Sequence, residues 1–232
     1  MCLKELSRLY ELRDEIQNPQ SADAYNFQVG DNRIKLKHFR DMDADLQGLD
    51  PASWSHLKAD LVPLLAKKDA RRGWEPLFDK LNEAKGYNYL VRIGCKDVRF
   101  IPRSLRQGQK TLDLQGALGP TKVLCEVKTI NVSQVELAHR KNASVRTILT
   151  QLPVEFFDKL KSTLETARNQ MTAFCPAAGT KKIAYVIINY DDILHEYEAN
   201  YSTQINAFIA ADPVPGLEIF VDAKPAFYSA IA

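Results

Sequence analysis

A chain of 232 residues, 45% hydrophobic and 26% charged, has the composition of a folded globular protein large enough to bury a substantial core. No apolar run reaches the ~18 residues of a membrane span, which excludes an integral helical membrane protein. The net charge of +2 is uninformative as a total, but its distribution is not. Residues 1–70 hold 10 Lys and Arg against 12 Asp and Glu, residues 71–150 hold 15 against 7, and residues 151–232 hold 6 against 10. The central block is strongly basic, as suits a polyanionic partner, and equally suits a solvated basic face. The N-terminus lacks the apolar segment and small-residue cleavage site of a secretory signal. Cys2, Cys95, Cys125 and Cys175 stand singly with no Cys-x-x-Cys pair. The expectation is a cytoplasmic protein with reduced thiols, Cys125 in the core, and no membrane partner.

Taken in chain order, Leu3, Leu6, Leu9, Leu12 and Ile16 recur at helical spacing up to Asn18-Pro19. Residues 25–29 and 33–39 flank Gly30-Asp31-Asn32 and predict a β-hairpin. Asp50-Pro51 predicts an N-cap and first helical residue, opening a helix to about Ala66 with Trp54, Leu57, Leu61 and Leu65 on one face. These first 70 residues read as an N-terminal extension of helix, hairpin and helix, followed by a core over residues 71–232. Trp74, Leu77, Phe78, Leu81 and Ala84 predict a helix that Gly86 would cap, and residues 87–93 predict a strand. A basic connection with Arg99, Arg103, Arg106 and Lys110 leads to a hairpin over residues 111–130. Phe156, Phe157, Leu160, Leu164, Ala167 and Met171 stripe a long helix. The run at 183–189 predicts a strand buried on both faces. Tyr197, Tyr201, Ile205 and Phe208 predict a last helix and residues 216–223 a last strand. Strand, helix and buried strand in succession imply a parallel crossover and a mixed sheet in an α/β fold.

The hairpin carries the chemistry. Strand alternation places Glu126 and Lys128 on one face and Cys125, Val127 and Thr129 on the other. A register symmetric about Gly119-Pro120 sets Asp113 opposite Glu126. Two acids so placed repel by roughly 0.2 to 1 kcal/mol, and a divalent cation would relieve them, because Mg²⁺ uses one or two carboxylates with waters and a substrate phosphate. The backbone carbonyl of Val127 could add a ligand. Lys128 could orient or deprotonate an attacking water and offset charge on a phosphate, a set suited to metal-assisted phosphodiester hydrolysis. The alternative, a surface Glu–Lys pair beside a loop aspartate, stays open on the pattern alone.

Asp113 followed by Glu126-Val127-Lys128, behind a helix that carries an acid, resembles the PD-(D/E)XK nuclease superfamily, in particular its Holliday-junction-resolvase-type members. In such members an acid lies about eleven residues before a Gly-aromatic pair that opens the first strand, as Glu75 lies before Gly86-Tyr87. The similarity covers residues 71–189, and Leu112 stands where the motif often has proline. The resemblance implies a three-layer α/β/α restriction-endonuclease-like core with a mixed central sheet. It further implies Asp113 and Glu126 as metal ligands, Lys128 as base or charge stabiliser, and Glu75 as an outer or second-metal ligand. Gln170 would match an accessory glutamine that some members carry after the third strand. Glu75 also reads as a solvated acid at a helix N-terminus.

The expected function is a Mg²⁺-dependent deoxyribonuclease, with Mn²⁺ able to substitute, an endonuclease sooner than an exonuclease. Its alternative is a catalytically silent nuclease-like fold used for binding or assembly. Arg99, Arg103, Arg106, Lys110, Arg140, Lys141 and Arg146 are the candidate DNA phosphate contacts, and a homodimer would suit double-strand cutting. Asp41, Asp43 and Asp45 mimic the start of a calcium loop, but Leu46 replaces its glycine and Ala52 its glutamate. His38, His56, His139 and His195 have no partner at metal spacing; of these, only His139 lies near enough to the motif to reach a phosphate.

Overall fold

The structure, a computed structural model, describes residues 6–16, 24–27, 33–102, 111–131, 151–190 and 198–225. Its strands lie in one mixed sheet in the order β1-β2-β3-β4-β5: β1 Lys96–Phe100, β2 Leu114–Leu118, β3 Thr121–Ile130, β4 Lys181–Tyr190 and β5 Glu218–Pro225. The chain forms two compact units. One contains residues 1–101 and 114–119, the other residues 102–113 and 120–226. The segment 71–101, expected to open the nuclease-like core, thus groups with the N-terminal helices.

In the first unit, helices α1 Ser7–Asp14, α2 Arg33–Gln47, α3 Pro51–Leu65, α4 Glu75–Leu81 and α5 Glu83–Arg92 precede β1. Asp50 caps α3 as its sequence predicts, accepting from the N–H groups of Ala52 and Ser53 at 2.8 and 3.0 Å. Trp54, Leu57, Leu61 and Leu65 are buried. The expected hairpin at 25–39 is corrected: Arg33–Gln47 is a helix. Alternation over a few residues cannot separate strand from helix, and the buried set Phe39, Met42, Leu46 is helically spaced. The triplet that mimics a calcium loop has other work. Asp43, 1% exposed, accepts from the N–H groups of Arg8 and Leu9 at 2.9 and 2.8 Å and so caps α1 from α2. Asp41 pairs with Lys37 and Asp45 with Lys85.

A second correction concerns 83–93. The expected strand is helix α5, and Gly86 lies inside it rather than capping α4. Ala84, Tyr87 and Leu90 are all buried, a helical stripe that a short tyrosine-rich run disguises. The helix ends instead at Gly94, with φ of +91°. Cys95 N–H bonds to Leu90 O and Gly94 N–H to Val91 O, both at 3.0 Å, which is a Schellman closure. β1 then pairs antiparallel with β2, Arg99 opposite Gln115, through a bulge between Lys96 and Arg99. His56 stacks on Phe100 at 5.7 Å, a packing role.

In the second unit, β3, β4 and β5 are parallel neighbours. Helix α6, Val154–Phe174, lies in the connection between β3 and β4, and α7, Glu198–Ala211, in that between β4 and β5. Ile183 to Ile188 of β4 are at most 4% exposed, as the continuous apolar run predicts for a strand covered on both faces. Leu160, Leu164, Ala167 and Met171 form the buried stripe of α6. No helix among the described residues is long and apolar enough to cross a membrane.

Candidate active site on strand β3

Glu126 pairs with Ala184, Val127 with Tyr185 and Lys128 with Val186 across the parallel β3–β4 ladder. Glu126 and Lys128 therefore share one face of the sheet. Lys122 and Lys182 belong to the same face by alternation, and they reach α6: Lys182 Nζ donates to Thr172 Oγ1 at 2.8 Å, and Lys122 Nζ lies 5.7 Å from the Phe174 ring. The C-terminal turns of α6 thus lie over the face that carries Glu126, and Glu126 is 2% exposed.

The expectation that Asp113 lies on a strand is corrected: it immediately precedes β2. The turn after β2 accommodates Pro120 because Gly119 takes φ of +58°, the positive value with which the favoured hairpin turns begin. Asp113 Oδ2 accepts the backbone N–H of Val127 at 2.8 Å. This anchors the carboxylate beside Glu126, so the two acids are electrostatic neighbours. Lys128 Nζ meets Glu126 Oε1 at 2.5 Å from a side chain 26% exposed.

Burial, and after it the charge of Asp113, push the Glu126 carboxyl up to about 7. Lys128 and the backbone N–H of Asp113 pull the other way without cancelling them. Among the described residues, Glu126 Oε2 and Gln170 Oε1 are the buried side-chain polar atoms with no hydrogen-bond partner. A buried acceptor left unpaired costs on the order of 1–3 kcal/mol, more when charged. Two adjacent carboxylates, one with an unused buried oxygen, are the donor set that Mg²⁺ accepts when waters and a substrate phosphate complete its shell, so the residues present fit that ion. No group of three or more His, Cys, Asp and Glu that could hold a metal occurs among the described residues.

Glu75 belongs to the first compact unit. It opens α4 and is 8% exposed, not the solvated acid that its position suggested. Gly86-Tyr87, eleven residues on, lies inside α5 and opens no strand. Arg99 is exposed on β1, and a Gln115 amide oriented toward it accepts from its Nε and Nη2 at 2.9 and 3.1 Å. Arg103, Arg106, Lys110, His139, Arg140, Lys141, Arg146 and His195 lie outside the described residues. One polar feature near the carboxyl ends of the parallel strands lies outside the candidate residues: Asn189 Nδ2 donates to Asn131 Oδ1 at 2.5 Å. Nothing signals it but an asparagine just after β3 and another next to the last residue of β4.

Compared with protein-family models, with curated proteins and with solved structures, the chain matches none.

Proposed function

We propose that this protein is a Mg²⁺-dependent nuclease that hydrolyses DNA phosphodiester bonds, endonucleolytically, on a three-layer restriction-endonuclease-like core. The observation that carries this reading is Glu126: a carboxylate on a covered sheet face, next to Asp113 and Lys128, with one oxygen unpaired. Packing alone gives no reason to place two acids and a lysine there, since a buried ionic group is weak evidence of stability.

On this reading Asp113 and Glu126 would hold the cation, and the hydrogen bond from the Val127 N–H holds the Asp113 carboxylate against β3. When bound, the cation supplies Lewis-acid polarisation of the phosphate and a water of lowered pKa. Lys128 would orient an attacking water and offset the charge on the phosphate. Arg99, with Arg103, Arg106, Lys110, Arg140, Lys141 and Arg146, contacts backbone phosphates without reading sequence. Glu75 and the Val127 carbonyl, as further ligands, and Gln170, as an accessory group, rest on the resemblance. A homodimer, if formed, would pair two such sites for double-strand cutting.

The test is cleavage of supercoiled plasmid in Mg²⁺ by wild type, Asp113→Asn, Glu126→Gln and Lys128→Ala. The expected result is cutting by wild type alone, with DNA binding kept by all four. Undiminished cutting by the three variants removes the assignment. DNA binding without cutting by wild type, in Mg²⁺ or Mn²⁺, would instead make the fold a silent binding module.

A further inference from the structure

We propose that Lys128 is the resident counter-ion of this site, opposing the divalent cation and released from Glu126 when that cation binds. The inference rests on the metal-site reading of Glu126 and adds a regulatory step to it. Once ionised, a carboxylate 2% exposed, with a second carboxylate beside it, needs a positive charge near it even without metal. The ammonium of Lys128 provides one, on Oε1 alone, at 2.5 Å. It does not fill the site, because Oε2 has no partner.

A dication arriving at Oε2 would share one carboxylate group with the ammonium. Like charges that close, poorly screened on a covered face, repel strongly. The side chain of Lys128 is 26% exposed, so its long stem has room to swing its head outward. Cation binding and release of Lys128 are therefore one linked event. The lysine becomes available to a phosphate or an attacking water only once the metal is present.

Two readouts without any nuclease assay test this. Wild type, Lys128→Met and Glu126→Gln are titrated with Mg²⁺ by calorimetry at pH 8.5 without DNA, and folding of each is checked by circular dichroism. Lys128→Met keeps the apolar stem and removes the charge, and is expected to bind Mg²⁺ about tenfold more tightly or better; Glu126→Gln is expected not to bind. In wild type the ε-methylene NMR signal of Lys128, assigned by its absence from Lys128→Met, is expected to move with Mg²⁺ saturation. Equal or weaker binding by folded Lys128→Met, or a signal that stays in place, overturns the counter-ion role and leaves the metal site standing. If none of the folded proteins binds Mg²⁺, the metal-site reading fails, and this inference fails with it.

Discussion

Asp113 and Val127 are joined by a side-chain-to-backbone hydrogen bond of 2.8 Å that ties the residue ahead of β2 to the middle of β3. The contact separates two roles of one carboxylate: an oxygen to anchor it, and a charge to hold a cation. Asp113→Asn keeps an oxygen for the Val127 N–H and removes the charge. It should melt within a few degrees of wild type and lose roughly 100-fold or more of its Mg²⁺-dependent plasmid cleavage. An Asn variant that cuts at the wild-type rate would show that the charge has no part in the reaction.

Glu126 makes stability depend on pH in a defined direction. Burial, and after it the charge of Asp113, raises its folded carboxyl to about 7, above the ordinary glutamate range, so folding favours the protonated form. Its contribution is complete below about 4.5 and is lost as pH rises to about 7, after which the effect is flat. The full span corresponds to about 3 kcal/mol. Chemical denaturation in EDTA should show wild type less stable at pH 8.5 than at pH 5.5, and Glu126→Gln should lack that decline. Mg²⁺ should restore wild type at pH 8.5. A pH-independent difference between the two proteins would contradict the burial of an ionisable group there.

Asp50 acts in the opposite sense and in another window. Hydrogen bonds, first from the Ser53 hydroxyl and then from the Ser53 N–H and Tyr87, hold its carboxyl down to about 2. The stability it contributes is present above the ordinary aspartate range and is lost as pH falls through that range towards 2. Asp50→Asn, which keeps an N-cap oxygen, should flatten this acid limb in a melting series while leaving the limb between pH 5.5 and 8.5 unchanged.

Asp43 caps a helix from another helix, so its removal should cost more than that of an exposed cap. Asp43→Ala leaves the N–H groups of Arg8 and Leu9 without their acceptor and should destabilise the protein by about 1–2 kcal/mol. A shift in the urea midpoint at unchanged slope checks this. Plasmid cleavage by the folded fraction should be unaffected, which distinguishes a structural acid from a metal ligand.

Gly94 closes α5 with φ of +91°. A methyl group there would meet Leu118 only at 3.8 Å, an ordinary contact, so the cost of Gly94→Ala is one of backbone conformation. The expected loss is about 1 kcal/mol, read as a lower urea midpoint. An unchanged midpoint would mean that the Schellman closure contributes nothing.

Where local physics is strong, residue order alone determined the structure. Asp50-Pro51 and the spacing of Trp54, Leu57, Leu61 and Leu65 define α3, because cap and stripe agree. The unbroken apolar run of β4 and the stripe of α6 likewise need no partner to be recognised. The alternation that puts Glu126 and Lys128 on one face follows from the two-residue period of any strand. Tertiary packing decided the rest. Residues 33–47 and 83–92 offer apolar positions that satisfy a strand over a short window and a helix over a longer one; only the neighbours that bury Phe39, Leu46, Ala84 and Leu90 resolve them. Packing also seats Asp113 on the Val127 N–H and covers the Glu126 face with α6. The depth at which a carboxylate is held, and hence its proton affinity and its unpaired oxygen, depends on what the folded chain lays over it, and sequence spacing does not record that.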